Sequence, residues 1–384
     1  MNRTLHTFVA CAAVLGAAGA AAYAPAATAA APGKMALPLN GKNFFTAGMA
    51  FSSKGDRICL IGTDFDAMGN GKPRVLLVDR ERKTTLWDKQ LPLPDGIVSL
   101  NLAECAVEDD RVYLLANGFT RHTPDLTRIH AYLYAFAPGG EQIATTRLDV
   151  RSDDQFAHTM RATPEGLTVS GFVKDVGDKD EHYAMFTASF DTHLHAQGTA
   201  SLRKNGAYTT PYAARLIDDS LYVTGTFFPA SIPKDSPGKL MASRLKTNGA
   251  YVWSSAVPQT GDNTRRFAIG PDGTSYTFGV GQDSTSLSLI APNGQVRTPL
   301  TQQGGYCSVN ALAHYGHGLA AVVTPCTGKT HQLVAIDPTS GALTGVKTIP
   351  GDPLYVSANA SSWSVLASDA NGKTYLYTGS AGDL

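Results

Sequence analysis

Short apolar segments that stop at or near a glycine recur along this 384-residue chain. Each contains aliphatic, β-branched or aromatic residues and is too short for a helix, so each predicts a buried strand. The clearest examples are Ile58–Gly62, Leu167–Gly171, Leu221–Gly225 and Tyr276–Gly279. Aligning equivalent segments gives seven anchors, at Gly62, Ala116, Gly171, Gly225, Gly279, Val323 and Ser368.

The spacing of these anchors predicts the architecture. Successive anchors lie between 44 and 55 residues apart, which leaves room for four short strands in each unit. Helical periodicity is nearly absent. Units of this kind bury their faces only by stacking on copies of themselves, and four-stranded units repeated around an axis are the blades of a propeller. The sequence therefore predicts an all-β, seven-bladed β-propeller of four-stranded antiparallel blades.

The two ends of the chain predict how the ring closes. The last unit stops at Tyr375-Leu376-Tyr377, where a third strand is expected, so its fourth strand is missing there. The segment Ala36–Gly41 resembles the end of the first unit at Gln90–Gly96. We therefore expect the N-terminal segment to supply the outer strand of the seventh blade, which would leave no blade incomplete.

A turn motif also repeats between the third and fourth strands. Asp79, Pro138-Gly139-Gly140, Asn248-Gly249 and Pro292-Asn293-Gly294 are residues that favour tight hairpins. Trp87 and Trp253 follow two of these turns. The A-x-D-x-x-x-G-x-x-x-W pattern resembles the PQQ-like repeat of quinoprotein-type propellers and of periplasmic scaffold propellers. The resemblance concerns the fold.

The first 29 residues have the features of a signal peptide: Arg3, an apolar stretch, and Ala27-Thr28-Ala29 as a cleavage site. A transmembrane helix is the alternative, but the stretch is rich in alanine and glycine and is interrupted by Pro25. We expect an exported protein, periplasmic or secreted, without a transmembrane segment. Residues 30–384 contain no linker or low-complexity run, which predicts a single β-propeller domain.

Charge and cysteine content narrow the possible partners. The chain has 32 basic and 32 acidic residues, so its formal net charge is zero and we expect no nucleic-acid partner. We also expect a monomer. Four cysteines remain after the signal peptide, and an even number in an exported chain indicates two disulfides. Strand directions within blades favour the pairs Cys59–Cys105 and Cys307–Cys326. Buried free thiols are the alternative. No metal site and no cofactor are predicted.

Two surfaces are candidates for binding. The long connections between second and third strands, which we place on the upper face, are Thr63–Arg74, Asn117–Arg128, Phe172–His182 and Thr226–Lys239. One aligned column of the first strands should line the mouth of the axial channel: Met49, Ala103, His158, Tyr212, Arg266, Asn310 and Tyr355. The column two places further on, which includes Cys105 and Met160, is mostly apolar and should pack between blades.

Two functions compete. The first is a non-catalytic binding or scaffold protein that holds a protein or glycan partner on the upper face, and it is favoured because catalytic motifs are lacking. The second is a propeller enzyme, such as a hydrolase, lyase or quinone-dependent dehydrogenase. Its site would combine distant residues at the channel, with His158, Arg266 or Asp153 in a deep pocket. The quinoprotein alcohol dehydrogenases that the repeat resembles carry two adjacent cysteines. No Cys-Cys pair occurs in this chain, which weakens the dehydrogenase hypothesis.

Overall fold

The computed structural model shows seven four-stranded antiparallel sheets in residues 33–384. Within that range it does not describe residues 110, 121–127, 151–153, 175–182, 203–206, 229–238, 249, 259–263, 282, 304 and 329. The signal peptide predicted at residues 1–29 also lies outside the described residues.

Each sheet is one blade, and its first two strands form the inner half. The first strands are β2 (Phe44–Phe51), β6 (Ile97–Glu108), β10 (Asp154–Thr163), β14 (Ala207–Ile217), β18 (Thr264–Ile269), β22 (Tyr306–Tyr315) and β26 (Asp352–Ala358). The second strands are β3 (Arg57–Phe65), β7 (Arg111–Thr120), β11 (Gly166–Lys174), β15 (Ser220–Phe228), β19 (Ser275–Val280), β23 (Gly318–Pro325) and β27 (Ser362–Ser368). Every anchor position lies in a second strand, as the repeat predicts.

The outer half of each blade holds the third and fourth strands. The third strands are β4 (Gly71–Asp79), β8 (Ile129–Phe136), β12 (Tyr183–Phe190), β16 (Lys239–Lys246), β20 (Ser284–Ile290), β24 (His331–Ile336) and β28 (Lys373–Ser380). The fourth strands are β5 (Thr84–Gln90), β9 (Gln142–Arg147), β13 (Ala196–Leu202), β17 (Tyr251–Ala256), β21 (Val296–Gln303), β25 (Leu343–Ile349) and β1 (Gly33–Asn40). A short 3₁₀ helix, Ala381–Asp383, follows β28.

The ring closes as the sequence predicts. Strand β1 pairs antiparallel with β28, with Met35 opposite Leu376, and so completes the seventh blade. Each first strand contacts the first strands of both neighbouring blades, and β26 contacts β2. Arg74 of β4 also donates to the carbonyl oxygen of Pro38 in β1 at 2.9 Å, so the first and last blades are hydrogen-bonded together.

The hydrophobic core lies between the blades. The buried apolar residues form seven clusters, and each cluster joins two adjacent blades. Strands β19 and β27 are buried along their whole length, because a neighbouring blade covers each face. Burial on both faces explains the continuous apolar run in a second strand such as β3, whereas β19 and β27 place small buried serine and threonine residues between their larger apolar ones.

Tryptophans on outer strands fasten neighbouring blades together. The Nε1–H of Trp87 in β5 donates to the Pro138 carbonyl oxygen at 3.1 Å, in the third-to-fourth strand turn of the next blade. Trp253 in β17 makes the same contact with the Pro292 carbonyl oxygen at 2.8 Å. Each indole packs on a glycine of positive φ in that turn, such as Gly294 at +85°, where a β-carbon would stand 2.8 Å from the ring.

The structure contains both expected disulfides. Cys59–Cys105 joins β3 of the first blade to β6 of the second, with a Cα–Cα distance of 6.4 Å. Cys307–Cys326 joins the start of β22 to the residue after β23, within the sixth blade, at 4.8 Å. One bridge therefore links two blades, and the other closes a hairpin. Among the described residues, no helix has the length and hydrophobicity that a membrane span requires.

The upper connections differ in part from expectation. In the first blade, strands β3 and β4 extend to Phe65 and from Gly71, so the connection is only residues 66–70. The extra residues there lengthen the hairpin instead of forming a long loop. Asp66 stabilises the tight turn at its end, because its Oδ1 accepts hydrogen bonds from the backbone N–H groups of Met68 and Asn70. The other three predicted loops lie largely outside the described residues, which exclude 121–127, 175–182 and 229–238.

Candidate functional site

Three adjoining cavities follow the propeller axis. An upper cavity of about 760 Å³ lies at the level where first strands begin, and a middle cavity of about 460 Å³ lies beside and below it. They share Tyr212, Phe267 and Tyr355. A lower cavity of about 420 Å³ shares Glu104, Thr159 and Ala214 with the middle one.

The residues of the predicted column line the two upper cavities. Tyr212, Arg266, Asn310 and Tyr355 come together around the upper cavity, from four different blades. Met49, Ala103 and His158 line the middle cavity, together with Tyr212 and Tyr355. The remaining candidate, Asp153, lies outside the described residues.

β-bulges determine which side chains face the channel. The pairing of first and second strands shifts in six blades, once in three of them and twice in the other three, and each shift is by one residue, as between Ala157 and Thr159. His158, Tyr212 and Asn310 are the extra residues at three of these shifts, whereas the seventh blade has Leu354 there and the pairing of β18 with β19 shows no shift. An extra residue reverses the inward–outward alternation. A column counted from the anchors therefore does not mark identical positions in every blade.

Aromatic rings form much of the wall of the upper channel. The His158 ring lies 4.9 Å from Phe156 and 5.2 Å from Phe172, measured between centroids. Tyr212 stacks on Phe267 at 4.9 Å with an interplanar angle of 15°, which joins the fourth and fifth blades. Tyr212 keeps 49% of its surface exposed, so this stack offers a ring to a partner at the mouth.

Arg266 supplies a positive charge at the upper cavity. Its Nε donates to the Asn310 carbonyl oxygen at 2.8 Å and its Nη1 donates to the Arg265 carbonyl oxygen at 2.8 Å. These bonds go to neutral acceptors, so the charge of the exposed guanidinium is not cancelled by them. Arginine held in this way is suited to an incoming carboxylate, sulfate or phosphate.

Glu104 is a channel residue that the sequence did not predict. It lies in β6, between Ala103 and Cys105 of the two aligned columns, and the bulge between Leu102 and Glu104 turns its side chain into the channel. Its Oε2 accepts from the backbone N–H of Met160 at 2.5 Å. The available signal was a lone acidic residue within the apolar run Leu-Ala-Glu-Cys-Ala-Val of this strand.

Burial controls the electrostatics of this carboxyl group. Desolvation raises the pKa of Glu104 to about 7, although hydrogen bonds from Met160 and Thr159 and the charge of Arg215 oppose the rise. The pKa of Tyr355 is also raised, first by burial and then by the negative charge of Glu104. Below them, burial lowers the pKa of His314, and the positive charge of Arg215 adds to that effect.

The fold, together with its similarity to solved propellers, defines the class of this chain as a seven-bladed β-propeller. It is similar to the Cps50 (Swd1) β-propeller domain from Myceliophteria thermophila, with 11% identity, coverage of 88% of this chain and 99% of that chain, and a TM-score of 0.52. It is also similar to the Pan2 WD40 domain from Neurospora crassa, with 12% identity, 91% and 94% coverage and a TM-score of 0.53. The Dos1 propeller gives 11% identity, 88% and 93% coverage and a TM-score of 0.51.

At these identities the likeness shows the fold alone. The similar structures are a WD40 domain and other propellers, so they do not specifically support the PQQ-like repeat, which stays a prediction from the sequence. No family model matches the sequence, and no curated protein matches it.

Proposed function

We propose that this chain is an exported, non-catalytic binding or scaffold protein that holds a protein partner at the upper mouth of its channel. The observation that carries the proposal is the upper cavity of about 760 Å³, where Tyr212, Arg266, Asn310 and Tyr355 converge from separate blades. A concave site with apolar walls and a few polar groups is the usual form of a binding site. Exposed tyrosine and arginine are also the residue types that contribute most to protein interfaces.

A second observation supports contact with a macromolecule. Phe45, Phe65 and Met68 lie at the upper end of the first blade, and 72%, 40% and 84% of their surfaces are exposed. Exposed apolar residues grouped on one face of a protein are typical of interaction sites. This group and the channel mouth belong to one face, so a protein partner is favoured over a small ligand.

Export is part of the same proposal. The two disulfides favour an oxidising compartment, because cytosolic thiols are normally kept reduced. The predicted signal peptide at residues 1–29 would deliver the chain there. We propose a periplasmic or secreted monomer whose mature part begins near Ala30. A glycan is the alternative partner, since aromatic rings and a charged group also suit sugars.

The test compares two matched arginine variants. Residues 30–384 are immobilised, incubated with envelope or secreted extract, and the retained proteins are quantified by mass spectrometry. We expect Arg266→Ala and Tyr212→Ala to retain at least tenfold less of a partner protein than wild type retains. Arg82→Ala, whose side chain is 80% exposed on the first blade, should retain it. Equal retention by all variants would contradict the proposal, and binding to a glycan array instead would favour the glycan.

One observation favours an enzyme as the second candidate. Glu104 is a carboxyl group deep in the channel with a pKa near neutral pH, which suits a general acid or base. However, it is the single carboxylate among the described residues that line the two upper cavities. A hydrolase, lyase or quinone-dependent dehydrogenase activity that disappears in Glu104→Gln would support the enzyme.

A further inference from the structure

The middle cavity combines one negative charge with a wall of rings. Glu104 is the one acidic side chain among the described residues that line it, none of which is a lysine or an arginine, and it lies toward the lower cavity, which it also lines. The aromatic side chains of the wall are Phe156, His158, Tyr212, Phe267 and Tyr355. The volume of about 460 Å³ admits a small organic group.

We propose that this cavity binds the cationic end of an alkylguanidinium or alkylammonium group, with Glu104 as its counter-charge and the aromatic rings as its wall. The faces of aromatic rings are negative, so they attract a cation and repel an anion. A carboxylate at the inner end adds to this preference. The alkyl part would lie among apolar residues such as Met49 and Leu102 nearer the mouth.

The surroundings of Glu104 explain why a cation would be stabilising. Burial disfavours its ionised form, and its partners are the Met160 N–H, Thr159 and the charge of Arg215. Arg215 lines the lower cavity and donates to the Ile269 carbonyl oxygen at 3.0 Å. The upper side of Glu104 is thus left to the cavity. A cation entering from above would replace hydration that the half-buried carboxylate has lost.

This inference deepens the proposed function. The identity of the cation as a group of a partner protein rests on that proposed function. A lysine or arginine side chain of the partner protein has the required chemistry and length. The upper cavity carries Arg266 with the opposite charge, so the two cavities would recognise a basic side chain with an acidic group nearby. A free amine has the same chemistry, and the experiment therefore begins with small probes.

The experiment measures binding of butylguanidinium and of its neutral analogue butylurea by calorimetry and ligand-observed NMR. Residues 30–384 are used at pH 8, where Glu104 is mostly ionised. We expect butylguanidinium to bind wild type at least tenfold more tightly than butylurea. Glu104→Gln keeps the side-chain shape and should weaken the cation at least tenfold, and Phe267→Leu should weaken it severalfold.

Glu108→Gln is the matched control, because it removes one negative charge from the same strand but does not line the upper cavities. It should bind the cation within twofold of wild type. Thermal melting confirms that each variant is folded. The inference is overturned if wild type binds no cation at 100 mM, if butylurea binds equally well, or if Glu104→Gln retains the affinity.

Failure of this inference is distinguishable from failure of the proposed function. Retention of a partner that depends on Arg266, without any probe binding, would leave the binding function intact and remove the cation site. Probe binding that depends on Glu104, without any retained partner, would support the cation site and contradict the proposed binding of a protein partner. If the partner's contact is a basic side chain, adding butylguanidinium should release that partner from wild type.

Discussion

Replacing Glu104 by glutamine should make the folded protein more stable at alkaline pH. The carboxyl group lies in the channel, where burial raises its pKa from 4.5 to about 7. The folded state therefore holds this proton more tightly than the unfolded state does. Glutamine keeps the shape and accepts the Met160 N–H bond, but it cannot ionise.

The magnitude follows from proton linkage. One pKa unit corresponds to about 1.36 kcal/mol, so a pKa of about 7 against 4.5 corresponds to about 3 kcal/mol at most. The stabilisation from the bound proton is full below about pH 4.5, declines between about pH 4.5 and pH 7, and is lost above that range. Relative to wild type, Glu104→Gln should thus gain up to about 3 kcal/mol between pH 4.5 and pH 8.

The assay is urea unfolding of residues 30–384, followed by tryptophan fluorescence at several pH values. The quantity compared is the difference in unfolding free energy between variant and wild type. Glu108→Gln, which removes a carboxylate from the same strand outside the two upper cavities, serves as the control. A difference that is constant with pH, or that decreases as pH rises, would refute the reasoning. In the variant, the pKa of Tyr355 should also fall, since Glu104 contributes to raising it.

Three further predictions concern the fold. Removing the inter-blade disulfide by Cys59→Ser should lower the free energy of unfolding by about 2–4 kcal/mol. This loss should be about 0.8 kcal/mol larger than that of Cys307→Ser, because the two bridges span 46 and 19 residues. Denaturation midpoints of the two variants measure the difference. Gly294→Ala should lower the free energy of unfolding by about 2 kcal/mol, because alanine disfavours positive φ and its β-carbon would clash with Trp253. Gly294→Asn should lower it less, because asparagine tolerates positive φ better. Equal losses in the two variants would contradict the φ argument. Leu37→Ala in β1 should cost about 2–4 kcal/mol, because its side chain is buried between the last and first blades; a loss below about 1 kcal/mol would argue against a packed closing strand.

The sequence determined the fold because the relevant signals are local and repeated. Each second strand is a short apolar run, and its recurrence fixed the number of blades. The missing fourth strand at Tyr377 and the similar segments at Ala36 and Gln90 predicted the closure by β1. The disulfides followed from this topology, since strand direction decides at which end of a blade each cysteine lies.

The channel was only partly readable from the sequence. A count from the anchors found Tyr212, Arg266 and Asn310, but it treated every first strand as regular. The bulges add one or two residues in each of six blades, and each extra residue depends on pairing with a second strand and not on local composition. The bulge before Glu104 turns a carboxylate inward, and its environment is built from Met160, Thr159 and Arg215 of other blades. Only the tertiary structure decided this, because the raised pKa and the cavities arise from groups that the ring brings together.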